Sequence, residues 1–480
     1  MGYEPVIGIE THVELTTNSK MFCGCPADFG APPNTNVCPV CLGLPGALPV
    51  VNGTAVEYAM TIGLGLNCDI AEHSVFARKN YFYPDMPKNY QISQYDEPLC
   101  VNGFLDIETD SGTHRVGITR VHMEEDTGKS THVGDGGRIH AANHSLIDFN
   151  RAGVPLMEIV SEPDIRSADE ARAFVTELRG AVLRLGVSDA KLEEGSMRFD
   201  GNVSLRPAGT EAFGVKVEVK NMNSIRSLHR ALVYEIERQS ALLEAGESVL
   251  QETRHWDEEA GATSGMRSKE EAFDYRYFPE PDLVPVAVDA EWRSRVAAAL
   301  PELPAQARAR FAAMGLDAAA AAVISRDVDY GSVFEDAVEA GGDPQTVANW
   351  LTGEVTALLR RSGVALTASP IDGAALAELS AMVGDGLLSA SAAKDVLAGV
   401  AAGEGTPGAV AESRDLIQVS DAAALEPVID DVLAANPEAV EKLRAGDPKV
   451  VGFLIGQVMR ATGGKADPGA VGDIIRSRGG

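Results

Sequence analysis

The stretch Val6-Ile-Gly-Ile-Glu-Thr-His-Val-Glu-Leu15 alternates between apolar and polar side chains. Its polar positions are Glu10, His12 and Glu14, and most of the positions between them are aliphatic. Neighbouring residues of a strand point to opposite faces of a sheet, so the pattern predicts a β-strand with one packed face and one polar face. Ionisable groups gathered on one strand face are typical of a site, because such groups need partners there.

The same alternation recurs in Ser196-Met-Arg-Phe-Asp-Gly-Asn-Val-Ser-Leu-Arg206 and again at 215–220. Between and after these segments the periodicity becomes helical. A helix is predicted over 167–185, which opens with the Ser-x-x-Glu pattern of a capping box, and another over 225–245. Sheet with one polar face, interrupted by helices, is the fold predicted for the first part of the chain.

The 480-residue chain has two compositional halves. Of its 27 aromatic residues, 22 precede position 300, and the remainder is rich in alanine with long helical periods. A proline-spaced stretch at 278–285 marks the end of the first domain, and a Gly-rich linker lies near 401–408. We therefore predict a sheet domain at 1–292, an all-helical domain at 293–405 and a small helical tail at 406–480.

The charge balance limits the partners. With 41 basic and 70 acidic residues the net charge is −29, which excludes a protein that coats nucleic acid through a general basic surface. Residues 441–480 nevertheless carry seven basic and four acidic side chains, a local attractive patch, unless these cations only balance helix ends. No apolar run approaches the roughly 18 to 20 residues of a membrane span, and the N-terminus lacks a secretion signal, so we expect a cytoplasmic protein.

The cysteines predict a metal site. Cys23-x-Cys25 and Cys38-x-x-Cys41 form two chelating pairs joined by a Gly/Pro-rich loop, a spacing typical of structural Zn²⁺. The alternatives are four free buried cysteines or a redox dithiol. Cys68 and Cys100 are isolated, and we expect them to be ordinary core residues.

Two further segments carry polar chemistry. Val121-His-Met-Glu-Glu-Asp-Thr-Gly-Lys-Ser130, taken with Glu10 and His12, offers oxygen ligands and imidazoles that suit Mg²⁺ or Mn²⁺; the alternative is a solvated charged edge. Arg78-Lys-Asn-Tyr-Phe-Tyr-Pro-Asp85 mixes cations with aromatic rings, which suits a phosphate-bearing ligand with stacked bases; the alternative is a structural tyrosine cluster.

These segments closely resemble the B subunit of the tRNA-dependent amidotransferase. So do Asp148-Phe-Asn-Arg-Ala-Gly-Val-Pro-Leu-Met-Glu-Ile-Val-Ser-Glu-Pro-Asp164, Asp274-Tyr-Arg-Tyr-Phe-Pro-Glu-Pro-Asp282 and, in the tail, Gly452-Phe-Leu-Ile-Gly-Gln-Val-Met-Arg460. The resemblance runs from about residue 3 to the end. It implies an α+β fold: a cradle of antiparallel sheet with helices, then an all-α domain and a small all-α tail that contacts tRNA.

The resemblance also implies an activity. An enzyme of this family works with a glutaminase A subunit and a small C subunit, and it converts Glu on tRNA(Gln), or Asp on tRNA(Asn), to the amide. ATP phosphorylates the side-chain carboxylate with the help of Mg²⁺, and ammonia then displaces phosphate. The chain has no Gly-x-Cys-x-Gly nucleophile elbow and no amidase-type serine loop. Ammonia is therefore expected from a partner, as the A subunit supplies it in the family.

Matching the family residue by residue assigns roles to individual positions. The expected Mg²⁺ ligands are Glu10, His12, Glu124 and Glu125. The expected catalytic residues are Glu125, Lys79 and Tyr81, and the ammonia path is expected to include Lys88 and Tyr90. In the basic tail the expected tRNA contacts are Lys449, Arg460 and Lys465. The zinc cysteines occur in only part of the family, so zinc is optional for the activity.

Two alternatives stay open from the sequence. The chain could be a zinc-stabilised tRNA-binding scaffold whose partner does all the chemistry. Within the enzymatic class, the archaeal relative of this protein, which acts only on Glu-tRNA(Gln), is the runner-up. The polar strand faces favour the enzyme, since a pure scaffold has no need of Glu10, His12 and Glu125 together.

Overall fold

A computed structural model describes residues 2–134, 142–268, 275–418, 422–444, 448–463 and 465–479. The chain forms two compact units, Met1–Leu303 and Pro304–Gly480. Within the described ranges, no helix has both the length and the apolar character needed to cross a bilayer.

The first unit is built from strands and four helices. Its strands are β1 (Tyr3–Glu14), β2 (Asp69–Ile70), β3 (His73–Ser74), β4 (Ala77–Asn80), β5 (Tyr90–Ser93), β6 (Cys100–Thr109), β7 (Gly112–Glu125), β8 (Lys129–Gly134), β9 (Ala142–Asp148), β10 (Pro155–Ser161), β11 (Met197–Pro207), β12 (Val217–Met222), β13 (Glu252–Asp257), β14 (Ala262–Ser268), β15 (Phe278–Pro279) and β16 (Val286–Ala287). Its helices are α1 (Gly53–Gly65), α2 (Ala168–Arg184), α3 (Ile225–Glu244) and α4 (Ala290–Ala298).

Nine of these strands form one sheet in the order β14-β13-β12-β11-β1-β10-β7-β6-β2. Every neighbouring pair is antiparallel except β12 and β13, which run parallel. The predicted antiparallel sheet is confirmed, with this one parallel exception. The strand that opens the chain, β1, lies at the centre of the sheet.

The alternation of β1 has the predicted outcome. Ile7, Ile9 and Val13 are at most 1% exposed and belong to the main hydrophobic core, on which α1, α2 and α3 pack. Glu10 and His12 face the other way and stay partly exposed. Burying the aliphatic face of β1 is worth about 2 kcal/mol per side chain, which fixes the register that aims its polar side chains.

The predicted capping box at the start of α2 is present in a modified form. Ser167 Oγ accepts a hydrogen bond from the Glu170 backbone at 3.1 Å, as expected. The Glu170 carboxylate, however, accepts from the Arg166 backbone N–H at 2.7 Å. Both bonds satisfy backbone donors at the helix start, which no intrahelical carbonyl can reach.

Short strands from the end of the first unit return to its beginning. β15 pairs with β4, which also forms a hairpin with β5, and β16 pairs with β3. The chain then continues into α4, where the Trp292 indole donates a hydrogen bond to Glu57 at 2.9 Å. The expected boundary at 292 lies inside α4, and the first unit continues to Leu303. The three-domain division stays a prediction.

The second unit is helical throughout its described residues, which confirms the all-α expectation. Its helices are α5 (Pro304–Ala313), α6 (Ala318–Arg326), α7 (Val328–Glu339), α8 (Pro344–Trp350), α9 (Thr356–Ser362), α10 (Gly373–Gly384), α11 (Ala390–Ala401), α12 (Pro407–Ser413), α13 (Ala422–Ala435), α14 (Pro437–Arg444), α15 (Pro448–Ala461) and α16 (Pro468–Gly479). A π-helical turn (Leu351–Val355) joins α8 to α9. The unit has two hydrophobic cores, one between Ala307 and Ala411 and one between Leu425 and Ile475.

Candidate active site on the sheet

The polar face of the large sheet carries a row of ionisable side chains across four strands. His12 of β1 lies opposite Arg198 of β11 on one side and Glu158 of β10 on the other, and Glu158 lies opposite His122 of β7. Because the register places these residues side by side, their side chains emerge from the sheet within reach of one another. The row is a consequence of antiparallel pairings that each bury an aliphatic face.

One cluster gathers around Glu158. His12 Nε2 and His122 Nε2 are each 3.5 Å from Glu158 Oε2, and His122 Nε2 is 3.4 Å from Glu124 Oε1. The candidate ligand atoms of His12, Glu124 and Glu158 all lie within 4.8 Å of one another. Glu124 and His122 are each 2% exposed. This combination of carboxylates and imidazoles can hold a divalent cation.

Neighbouring groups hold Glu124 in place. Ser93 Oγ donates to Glu124 Oε1 at 2.8 Å, and Gln91 Nε2 donates to Oε2 at 3.0 Å. Lys79 Nζ lies 3.9 Å from Oε1 and 5.2 Å from the centre of the Tyr275 ring. Orientation by fixed neighbours is what a metal-binding or catalytic carboxylate requires.

The electrostatics of the cluster favour charged forms. Burial by itself raises the pKa of Glu124, but the charge of Lys79 and the hydrogen bond of His122 outweigh it and hold that pKa well below its usual range. Burial lowers the pKa of His12, but Glu158 and Glu124 outweigh it and raise the value. Glu124 also raises the pKa of Lys79 against the effect of burial. The carboxylates of Glu124 and Glu158 therefore stay ionised next to the cationic Lys79, and a metal ion that bound His12 would take the place of its proton.

The predicted catalytic residues Lys79 and Tyr81 both lie beside this cluster. They sit on and just after β4, and Tyr81 packs edge-to-face on Tyr275, with ring centres 6.2 Å apart. Burial raises the pKa of Tyr81, so its hydroxyl stays protonated at neutral pH. Lys79 and Tyr81 thus offer an ammonium and a hydroxyl at the mouth of the cluster.

Glu125 points away from these groups. Its carboxylate pairs with the Lys88 ammonium and accepts from the Ile92 backbone N–H at 2.9 Å. The Lys88 ammonium also lies 5.5 Å from the centre of the Tyr90 ring. Consecutive strand residues face opposite sides of a sheet, so the carboxylates of Glu124 and Glu125 contact different groups. The structure brings Glu125 together with Lys88 and Tyr90, and does not bring it to His12.

Glu10 belongs to a second acidic cluster further along the face. Its ligand atoms lie within 4.8 Å of those of Asp200 and Glu218. Asn202 Nδ2 donates to Glu10 Oε1 at 2.8 Å, and Lys220 Nζ contacts Asp200 at 2.8 Å. Of the four expected Mg²⁺ ligands, His12 and Glu124 therefore share one cluster, while Glu10 and Glu125 each lie elsewhere.

Glu158 and His122 are the residues that sequence reasoning missed. A signal for Glu158 existed, since it is the single charged residue of the otherwise apolar run Leu156-Met-Glu-Ile-Val160. A charge in a buried strand must be paired or bind a cation. His122 stands inside a segment that the sequence singles out, but only the carboxylates that follow it were given roles.

Arg198 ties the row to a buried carboxyl pair. Its Nη2 lies 3.1 Å from Asp126 Oδ2, and Asp126 is 4% exposed. Burial and the nearby Asp126 raise the pKa of Glu14 to about 8. The Glu14 carboxyl therefore favours its protonated form beside an ionised Asp126, whose charge is shared by Arg198 and by Arg151 at 3.6 Å.

The four predicted zinc ligands do come together. The sulfur atoms of Cys23, Cys25, Cys38 and Cys41 lie within 4.8 Å of one another, and those of Cys38 and Cys41 are 3.9 Å apart. Sulfurs bound tetrahedrally at about 2.3 Å from zinc are about 3.8 Å apart, so the set fits the ion. The hydrogen bond from Cys23 outweighs burial and lowers the pKa of Cys41 to about 5.

The expected tRNA contacts lie in the second unit. Lys449 lines a cavity of about 600 Å³ together with Lys442 and Phe453. Arg460 lies near the end of α15, and Lys465 forms an ion pair with Asp415. Phe453 is 50% exposed beside these cations. The two lysines and the exposed ring that line this cavity suit a polyanion, whereas the ammonium of Lys465 is already paired.

Comparison with known proteins identifies relatives along the whole chain. Residues 5–294 match the family model described as the GatB/GatE catalytic domain, and residues 332–478 match the GatB domain. Three similar relatives, each named as the B subunit of an aspartyl/glutamyl-tRNA(Asn/Gln) amidotransferase, come from Frankia casuarinae, Moorella thermoacetica and Thermobifida fusca. They are 54%, 53% and 53% identical to this chain, over 99%, 100% and 99% of it and 95%, 100% and 94% of their own lengths.

Proposed function

The chain belongs to the GatB family of amidotransferase B subunits, and from that premise we propose where on it the chemistry takes place. The activity is that of an ATP-dependent ligase that amidates misacylated Glu-tRNA(Gln) or Asp-tRNA(Asn). The proposed site is the His12, Glu124 and Glu158 cluster with Lys79 beside it. The alternative, a scaffold with the chemistry in a partner, leaves that cluster without a purpose.

The reaction requires activation of a poor electrophile. A carboxylate oxygen of the aminoacyl side chain attacks the γ-phosphorus of ATP, and ADP leaves. The acyl phosphate then carries a leaving group, so ammonia attacks the acyl carbon, phosphate departs, and ammonia loses one proton. Both steps develop negative charge on phosphoryl oxygens, and stabilising that charge is the main task of the protein.

The residues of the cluster divide this task. His12, Glu124 and Glu158 would hold Mg²⁺, since their ligand atoms converge and the side chains are largely buried and oriented. The ion when bound would neutralise phosphoryl charge. Lys79 lies at the edge of the same cluster and would bind the transferred phosphoryl as a point charge. Tyr81 would orient the side-chain carboxylate through its hydroxyl.

The single observation that carries this proposal is the burial of so many ionisable groups on one strand row. His122 and Glu124 are 2% exposed and Glu158 is 9% exposed, and His122 Nε2 lies only 3.4–3.5 Å from the carboxylate oxygens of the two glutamates. Burying a charge is costly, and a sheet can be closed with apolar side chains at less cost. A cluster of this kind is therefore kept for binding or catalysis.

The remaining roles follow from the family and the local geometry. Glu125, Lys88 and Tyr90 would line the path of ammonia, which the A subunit of a heterotrimer would supply, with the C subunit as the third member. The ion pair of Lys88 and Glu125 is buried, so its polar groups are shielded from bulk water. The cysteine set would hold structural zinc in a reducing cytoplasm. The basic helical tail would contact the tRNA body.

A test needs the chain together with its A and C partners, Mg²⁺, radiolabelled ATP and Glu-tRNA(Gln), with every ammonia donor omitted. We expect ATP cleavage that requires the misacylated tRNA and falls at least about 100-fold in Glu124→Gln. Glu108→Gln, an exposed carboxylate on β6, is the matched control and should keep full cleavage. Wild-type cleavage no higher than with uncharged tRNA, in a complex that still binds tRNA, would favour the scaffold.

A further inference from the structure

Lys20 is a buried cation that forms no ion pair with a carboxylate among the described residues. Its side chain is 0% exposed, among the largest fully buried side chains of the described residues. The ammonium makes one hydrogen bond with the described residues, a long one of 3.3 Å to the carbonyl oxygen of Phe149, which is neutral. A buried ammonium without an anion is strongly unfavourable, so its burial points to a negative charge nearby.

Two sources of negative charge surround Lys20. A side-chain Cβ built on Gly153 would lie 3.5 Å from Lys20 Cδ, 3.5 Å from Cys41 Cβ and 3.8 Å from Glu125 Oε2. The three side chains therefore meet around one point. The backbone is tied to the same place, because the Lys20 N–H donates to the Cys25 carbonyl at 3.0 Å.

Glu125 cannot balance Lys20 by itself. Its carboxylate already pairs with the ammonium of Lys88, so two buried cations share one anion and leave a net charge of +1. Four thiolates around Zn²⁺ carry a net charge of −2. The charge count around Gly153 is therefore −1 with zinc on the four thiolates and would be −2 without the ammonium of Lys20, so Lys20 offsets part of the charge that the metal-bound sulfurs carry.

We infer that Lys20 is the counter-cation of a metal tetrathiolate formed by Cys23, Cys25, Cys38 and Cys41. The inference rests on the zinc site suggested under the proposed function, and it adds the residue that sets the affinity of that site. It also makes Lys20 the link between the metal loop and the Glu125–Lys88 pair. Lys20 thus acts through the sulfur ligands as a positioning residue and is not itself a ligand.

The experiment compares zinc affinity by chelator competition in the full-length chain. Lys20→Met keeps the shape and removes the charge, and it should weaken zinc binding about 10- to 100-fold, as loss of outer partners of metal ligands does. Lys191→Met is the matched control, since Lys191 is an exposed lysine paired with Glu194. Its zinc affinity should equal that of the wild type.

A second readout is the gain in stability that zinc gives. A ligand stabilises the folded state more the tighter it binds, so zinc should raise the unfolding temperature of Lys20→Met less than it raises that of the wild type. A lysine that only fills space would leave the zinc-dependent rise the same in both proteins, and that result would overturn the inference.

The outcomes separate the inference from its premise. If the wild type binds no zinc, the zinc site itself is wrong. If the wild type binds zinc and Lys20→Met binds it within twofold of that affinity, only the role of Lys20 is wrong. If Lys20→Met fails to fold, two other measurements replace it. One is the zinc affinity of Lys20→Arg, which keeps the charge, and the other is the salt dependence of zinc binding by the wild type. A buried counter-cation predicts nearly the same zinc affinity in about 50 mM and about 500 mM KCl, and a tenfold drop would overturn the role.

Discussion

The sheet face and the C-terminal helices use the same charged residue types in opposite surroundings. On the sheet, Glu124 and Glu125 are each 2% exposed and have partners on other strands or loops. In the segments that connect the C-terminal helices, ion pairs such as Arg414–Glu404 and Lys465–Asp415 involve side chains that are 36–80% exposed. The comparison teaches that a charge is fixed in place by burial, whereas an exposed charge stays available to a partner that arrives from solution.

The largest effect is expected when a buried charge on the sheet is removed. Glu158→Gln keeps the shape of β10 but removes the charge between His12 and His122, so we expect tRNA-dependent ATP cleavage to fall by about 100-fold or more. Glu162→Gln, an exposed carboxylate just beyond the same strand, is the control. The complex should still assemble in both variants. Equal cleavage in both would remove Glu158 from the site.

Next comes a buried charge outside the site. Glu235 is 0% exposed and accepts hydrogen bonds from Arg238 at 2.6 Å and Gln239 at 2.9 Å. Glu235→Gln leaves a partly buried guanidinium without its anion and should lower the free energy of unfolding by about 3 kcal/mol. Glu404→Gln breaks an exposed pair with Arg414 and should cost less than about 1 kcal/mol. Denaturant titration followed by circular dichroism measures both, and similar losses would contradict the comparison.

The exposed cations of the second unit are tested by measuring the KM for tRNA. Replacing Arg460 and Lys465 by alanine should raise the KM for tRNA on the order of fivefold and lower the slope of its salt dependence by about one for each phosphate that is no longer neutralised. Zinc content should not change. Arg414→Gln removes another exposed cation of the same unit and serves as the control. An unchanged KM and slope would count against the tail as a tRNA-binding surface.

The smallest effect concerns an exposed charge that belongs to the sheet unit. Hydrogen bonds from the Trp256 indole and Ser227, with the charge of Arg230, lower the pKa of Glu258, whose side chain is 53% exposed. A lowered carboxyl pKa stabilises the fold above the ordinary value of 4.5, and this contribution is lost as pH falls through the lowered pKa. Glu258→Gln should therefore reduce stability only slightly at neutral pH, less than Glu235→Gln does, and the difference from the wild type should vanish in acid. Denaturant titration at several pH values measures this difference. A loss of unfolding free energy as large as that of Glu235→Gln would show that the place of a charge in the fold, and not its exposure, decides how much it contributes to stability.

The sequence predicted the sheet and the helices because their signals are local. The alternation of 6–15 required only that aliphatic side chains be buried, and Ile7, Ile9 and Val13 are. The capping pattern at Ser167 needed only its own first turn. The cysteine spacing likewise put four sulfurs within one short stretch of chain.

The site was predicted in part, because it depends on which strands become neighbours. Of the four expected Mg²⁺ ligands, the structure brings His12 and Glu124 together, whereas Glu158 is not predicted, since nothing local places β10 between β1 and β7. The family resemblance predicts Glu125 as a ligand together with Glu124. The alternation of strand residues that identifies β1 also holds for 121–125, and it predicts that these two carboxylates lie on opposite faces of the sheet.

The return of β15 and β16 to the start of the chain bears on how the protein is made. Phe278 pairs with Arg78, and Glu280 forms two hydrogen bonds with the same guanidinium at 2.6 and 2.8 Å. The hairpin that carries Lys79 is therefore completed by residues about two hundred positions later. A ribosome adding residues in order must finish most of the first unit before that hairpin has all its partners. Such long-range closure is slow to form, so the nascent chain would hold Lys79 in an unfinished hairpin until late in synthesis.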